Sequence, residues 1–143
     1  MNFTDVIYLA IPFITWLTSG CIKFLVNCIR YGSEAKKMMG YGGFPSTHTA
    51  ILSSVVFFIG FKSGFNTPLF TLGIGTLIIL IIDAHGLRRK IGEQAVAINN
   101  INKALGIDCP PLREKMGHSW FEILGGLICG CVIGYVAAWC IGI

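Results

Sequence analysis

Apolar positions fall into four long runs separated by short polar stretches. The first covers residues 6–22 and continues past Lys23 to residue 29; Pro12 lies inside it, which a membrane helix tolerates. Residues 30–44 are polar and glycine-rich, and predict a loop with one short basic turn at Lys36 and Lys37. The second run, 45–61, opens on Pro45-Ser46-Thr47, a helix-start signal, and has a short apolar centre at 50–61. After a turn at 61–66, the third run, 65–82, carries no charge. At ~1.5 Å per residue it reaches about 27 Å, nearly the depth of a hydrocarbon core. Asp83 is expected to end it. Leu87, Ile91, Ala95, Ile98 and Ile101 then recur at intervals of three or four, with Arg88, Arg89, Lys90 and Glu93 between them. That pattern predicts an amphipathic helix over 87–105, broken by 106–111. The last run, 119–143, has Glu122 as its only charge, and its Gly125, Gly126, Gly130 and Gly134 suit close helix packing in a bilayer.

The expected architecture is all-α: a polytopic membrane bundle of about four transmembrane helices plus an amphipathic helix on the cytoplasmic side, in one domain over 1–143. Composition agrees. Charged residues are 13% of the chain, about half of the roughly 25% that a water-facing domain carries. The mean hydropathy is +0.71. These values exclude a soluble globular enzyme, a disordered chain and a nucleic-acid binder built on a basic face. The start of the chain lacks the basic residues of a signal peptide, so the first run is expected to stay as an anchor. Six cysteines without metal-ligand spacing read as small buried hydrophobes.

Charge placement matters more than the net +4. With the N-terminus outside and the runs alternating, Arg30, Lys36, Lys37, Arg88, Arg89, Lys90, Lys103, Arg113 and Lys115 share one side, against Lys62 on the other. The basic side is therefore expected to be cytoplasmic. The three histidines, His48, His85 and His118, all fall at that end of their apolar runs, as do Asp83 and Glu122. Ionisable groups at membrane depth are costly and point to function, although snorkelling anchors account for several of the lysines.

Four constellations carry candidate chemistry. Lys23 and Arg30, seven residues apart, project from one helix face and suit an anion with several oxygens, such as a phosphate. Gly42-Gly43-Phe44-Pro45-Ser46-Thr47-His48-Thr49 joins a free backbone to a helix start, where an anion is favoured, with a histidine one turn in. His118 and Glu122, four apart, are within hydrogen-bond reach on one face, where a carboxylate fixes the tautomer. A plain helix cap is the other reading of that pair. Asp83-Ala84-His85-Gly86-Leu87-Arg88-Arg89, followed by Gly92, Gln94 and Asn99, offers an arginine pair for a phosphate or for lipid headgroups.

Together these blocks resemble the type 2 phosphatidic acid phosphatase (PAP2) superfamily. They are most similar to its divergent branch, small bacterial and plant membrane proteins related to acid phosphatases and vanadium haloperoxidases. Lys23 and Arg30 match the first block, with Tyr31 where a proline is usual; Pro45, Ser46, Thr47 and His48 match the second. His118 and Glu122 fit the third, Glu replacing the usual Asp. Arg113 stands one residue closer to the histidine than that block has it, so Arg88 or Arg89 is the alternative source of its cation.

The resemblance implies a lipid-phosphate phosphomonoesterase needing neither metal nor other cofactor. His118 would be the nucleophile, Glu122 its orienting carboxylate and His48 the acid and base. Lys23, Arg30, Ser46, Thr47, Arg88, Arg89 and Arg113 would bind the phosphate, with Asp83 and His85 in support. The implied substrate is phosphatidate, phosphatidylglycerophosphate or a polyprenyl phosphate, met at the cytoplasmic side of a bacterial inner membrane. Four spans enclose little volume, which makes a homodimer completing the site an open expectation. Three other readings stand beside this one: a non-catalytic lipid-phosphate carrier, a metal-dependent hydrolase using His48, His85, His118, Asp83 and Glu122, and a purely structural membrane protein. Crowded cations oppose the metal.

Overall fold

The computed structural model describes residues 3–38 and 43–142. Gly40, Gly42 and the side chain of Lys37 lie outside the described residues. The described elements are helical: α1 (Phe3–Tyr31), a 3-10 turn (Gly32–Glu34), α2 (Ala35–Met38), α3 (Thr47–Ser63), α4 (Pro68–Ile82), a π-turn (Asp83–Leu87), α5 (Arg88–Leu105) and α6 (Trp120–Cys140). Three stretches are long and apolar enough to cross a membrane: Val6–Glu34, Pro68–Leu105 and Trp120–Cys140. The 17 residues of α3, at ~1.5 Å each, reach about 26 Å, the lower limit of a span. This is a helical membrane bundle.

Helix starts follow their local chemistry. At α4, Thr67 Oγ1 accepts from Phe70 N at 3.2 Å and Pro68 fills the first turn. At α6, Ser119 and Glu122 form a reciprocal capping box. One expected boundary is wrong: Asp83 does not end a helix. The chain widens into a π-turn there and continues directly into α5. The end of α5 falls where the break was expected, at Gly106, whose left-handed φ of 67° lets its amide return to the last turn.

α3 packs on α6, α1 and α4, and most closely on α6. The reason is a row of glycines every fourth residue on α6. A Cβ at Gly126 would sit 2.6 Å from Ser46 O, and one at Gly134 would sit 2.6 Å from Ser54 O. One at Gly130 would run into Ala50 O and Ser53 Oγ. Backbones thus touch where a bilayer offers helices no hydrophobic drive to associate. Ser53 Oγ adds a bond to Gly126 O at 3.3 Å.

The inner face of α1 changes character along its length. Ile11 packs with Phe58 and Ala138 in an apolar core at one end of the bundle. From there Thr15, Ser19, Lys23 and Asn27 follow at intervals of four, and all are buried. Thr15 Oγ1 donates to Ser54 Oγ at 2.8 Å. The polar end of this stripe is the histidine end of the molecule. All six cysteines are free thiols, and none is buried. They are therefore not the interior hydrophobes that sequence suggested; those on helices sit on outward or half-covered faces.

Gly130→Ala is expected to destabilise the bundle by about 1–3 kcal/mol, the usual cost of overpacking. Gly20→Ala is the control, because a Cβ there meets nothing within 4 Å. Thermal unfolding in detergent checks this; equal stability of the two variants would mean that backbone contact does not hold α3 to α6.

Candidate active site

A hollow of about 790 Å³ opens between α1, the starts of α3 and α5, and the segment leading into α6. Its polar end is formed by Lys23, Thr47, His48, Arg88, Arg113 and His118, and its apolar wall includes Trp16, Leu17, Phe24, Leu25 and Ile51. The two imidazoles come from residues seventy apart in sequence, yet their ring centroids lie 6.5 Å apart.

His118 is held from three directions. Its amide donates to Ala84 O at 2.9 Å. Its carbonyl lies 3.1 Å from His85 Nδ1 and can only accept, so that nitrogen carries the proton. His85 in turn stacks on Trp120, ring centroids 4.5 Å apart. On the side chain, His118 Nδ1 lies 3.3 Å from Glu122 Oε2. An ionised carboxylate accepts only, which puts the proton on Nδ1 and leaves a lone pair on Nε2. The same Oε2 accepts from Ser119 N at 2.8 Å. Glu122 is therefore both cap and histidine partner, and the two readings of that spacing are one arrangement.

The electrostatics favour an anion. Lys23 is only 8% exposed, and no hydrogen bond or ion pair holds it among the described residues. Glu122 attracts it through space, but burying an ammonium short of hydrogen-bond partners is costly. Arg88 binds Asp83 Oδ2 through Nε at 2.8 Å, which leaves the two terminal nitrogens of its fork as donors. Arg88 and Lys23 act on His48 as positive neighbours, opposed by Asp83. Asn27, one turn beyond Lys23, is buried, and its Nδ2 has no hydrogen-bond partner among the described residues.

Three expected phosphate ligands lie outside the lining of this hollow. Arg30 shares a face with Lys23, but two turns further on that face is uncovered, and Arg30 is exposed. Ser46 is fully buried: its hydroxyl lies 2.9 Å from Thr49 Oγ1, and its amide donates to Glu122 O at 2.8 Å. Ser46 thereby ties the start of α3 to the start of α6. Arg89 is exposed and packs along Gly117, where a Cβ would meet its Cγ at 2.7 Å; the φ of 83° there also calls for glycine. Arg88 and Arg113 reach the hollow instead.

The segment 106–118 runs back along α5 to reach the site. Asn102 Nδ2 donates to Cys109 Sγ at 3.1 Å. Asn99 clamps Leu112 from both sides, accepting its amide at 2.8 Å and donating to its carbonyl at 2.9 Å, and also donates to Glu114 Oε1 at 2.8 Å. Gly92 leaves room for Met116, whose Cβ would be 3.3 Å from an added one. Sequence singled out Gly92 and Asn99 without a role; the structure makes them the splint for Arg113 and His118. Of the polar stripe of α1, sequence singled out only Lys23; Thr15, Ser19 and Asn27 were missed, although polar residues at intervals of four within an apolar run were their signal.

Asn99→Ala is expected to loosen this segment. At a net worth of about 1 kcal/mol per hydrogen bond, amides over 110–117 are expected to exchange roughly ten- to a hundredfold faster. Exchange in α3 and α6 is expected to stay unchanged. Hydrogen-exchange mass spectrometry reads both, and unaltered protection of the segment would mean the clamp is dispensable.

The comparisons with known proteins agree with this architecture. No solved structure matches the chain. It is 30% identical to the "Uncharacterized membrane protein YuiD" of Bacillus subtilis (strain 168), over 68% of this chain and 72% of that protein. Residues 5–133, which include every side chain of the polar end, match the Divergent PAP2 family, and the chain belongs to that family.

Proposed function

We propose that this protein is a membrane lipid-phosphate phosphomonoesterase working through a phosphohistidine. The observation that carries the reading is the meeting of His48 and His118 at one hollow, beside Lys23, Arg88 and Arg113. In-line transfer requires the attacking imidazole and the group that protonates the leaving oxygen to reach one phosphoryl group, and both imidazoles line this hollow.

In the first step His118 Nε2 attacks phosphorus while the bond to the lipid alcohol breaks. His48 donates its proton to the departing oxygen. Glu122 stabilises the imidazole as positive charge develops on it. In the second step His48, now neutral, takes a proton from water. The hydroxide attacks phosphorus, the N–P bond breaks, and inorganic phosphate leaves. Lys23, Thr47, Arg88 and Arg113 hold the phosphoryl oxygens throughout, and the three cations supply the charge that a metal supplies in other phosphoryl-transfer sites. Arg30, Ser46 and Arg89 are assigned no contact with phosphate here; Ser46 acts by fixing His48 relative to Glu122. The lipid tail, of a phosphatidate, phosphatidylglycerophosphate or polyprenyl phosphate, runs along Trp16, Leu17, Phe24 and Ile51. A non-catalytic lipid-phosphate carrier is the second reading, because the same cations would hold a headgroup without any transfer.

His118→Ala is expected to abolish phosphate release from lipid phosphates, and His48→Ala to slow it about 10²–10⁴-fold, the usual range for a lost general acid. Labelled phosphate is expected to be trapped on His118 by rapid acid quench. Binding without release or trapping supports the carrier. Full activity in both variants rejects the enzyme.

The site belongs on the cytoplasmic face of a bacterial inner membrane, by the placement of basic residues. A cysteine introduced at Lys36, in a chain whose native cysteines are replaced, is expected to resist an impermeant thiol reagent in intact cells and to react after lysis. Labelling from outside reverses the orientation.

A further inference from the structure

α4, the π-turn and α5 form one helix of 38 residues, Pro68–Leu105. At ~1.5 Å per residue it is about 57 Å long, nearly twice the roughly 30 Å of hydrocarbon it has to cross. Only Leu77, Ala84, Gly92 and Ala95 of it are buried. α5 packs on the π-turn and the returning segment rather than on α1, α3 or α6, so it carries the helix beyond the bundle.

One exposed seam runs almost the whole length. On α4 it comprises Leu72, Gly75, Ile79 and Ile82, at steps of three, four and three. From the last residue of the π-turn through α5 it comprises Leu87, Ile91, Gln94, Ile98, Ile101 and Leu105, at steps of four and three in alternation. Between Ile82 and Leu87 the step is five. A π-turn holds one residue more than an α-turn, so five across it equals four elsewhere. The π-turn therefore brings two stripes that a plain helix would set out of line onto one face.

Beyond the bilayer edge, lipid does not cover such a face. The α5 half keeps the 3.5-residue period of a coiled coil, with Ile91, Ile98 and Leu105 in one set of seam positions and Leu87, Gln94 and Ile101 in the other. No charge interrupts it. The α4 half borders a groove lined by Thr71, Gly75 and Thr76, small residues that admit a close helix in a membrane. Two copies in one membrane share their orientation, so a two-fold axis along its normal sets their long helices parallel. Within such a parallel pair, β-branched Ile91 and Ile98 in the first set favour two strands.

We propose that a second copy of this chain covers the seam, giving a parallel two-fold dimer through the Pro68–Leu105 helices. The pairing is independent of what the hollow hydrolyses, and its test needs no activity.

The purified protein in density-matched detergent is expected to sediment at twice the 15.6 kDa of one chain. Ile91→Lys with Ile98→Lys is expected to give monomers with unchanged helical circular dichroism. In native membranes, in a chain whose native cysteines are replaced, Ile98→Cys is expected to cross-link on oxidation to a dimer. Asn100→Cys, off the seam, is expected to remain monomeric. A monomeric parent protein, or equal cross-linking at 98 and 100, overturns the proposal. So does quenching of a fluorophore at position 98 by spin-labelled lipid, which would put the seam in the bilayer.

Discussion

The geometry of the histidine end rests on one short crossing: Ser46 N donates to Glu122 O at 2.8 Å, from the start of α3 to the first turn of α6. That bond exists because Gly126, Gly130 and Gly134 let the two backbones touch. Helices held apart by ordinary side chains lie 8–10 Å between axes, too far for a main-chain bond at their ends. Once Ser46 is fixed, His48 follows two residues later on α3, and Glu122 stands one turn after His118. The close packing of the interior and the meeting of the imidazoles are one constraint seen at two ends.

Around that crossing the bundle is divided by polarity. The inner face of α1 passes from Ile11, in the apolar core, to Thr15 and Ser19, whose hydroxyls are satisfied by other protein atoms, and then to Lys23, which has no such hydrogen-bond partner among the described residues. The progression concentrates unmet donor capacity at one end. Arg88 adds to it, because Asp83 takes only its Nε. In a low-dielectric surrounding these positive groups repel one another, and an anion between them relieves both the repulsion and the lost hydration. A phosphate ester suits that vacancy in charge better than a carboxylate does, since it brings three oxygens to several donors.

Most of the fold was legible from hydropathy, because a bilayer imposes long apolar runs whatever they pack against. The glycine row on α6 and the pairing of His118 with Glu122 were legible from spacing, because both are local periodicities of one helix. Less legible was anything that depends on where a helix leaves the bundle. Lys23 and Arg30 do share a face, but that face is covered at one residue and open at the other. Ser46 stood at the right place in its motif, yet its hydroxyl turns to Thr49 inside the helix interface. Asp83 looked like a terminus because a charge closed an apolar run; the backbone instead widened by one residue and carried on. Choosing between Arg88, Arg89 and Arg113 required knowing that 106–118 folds back along α5, a tertiary fact that no local pattern encodes.

The arrangement around His118 bears on whether the site transfers phosphate or only holds it. Cations alone are enough for holding. A carrier has no need of an imidazole whose tautomer is set by a carboxylate, whose carbonyl is gripped by a second histidine, and which faces a third across the space for an anion. Glu122 could cap α6 without touching His118, since its bond to Ser119 N completes the capping box. That the same oxygen also reaches Nδ1 leaves the lone pair on Nε2, in a residue that lines a hollow with Lys23, Arg88 and Arg113. On the proposed reading, a neutral nucleophile there would meet a phosphorus whose negative oxygens the cations offset. On the reading proposed above, donors that bind a ground-state phosphate serve holder and catalyst alike, whereas an imidazole of fixed tautomer serves only the catalyst.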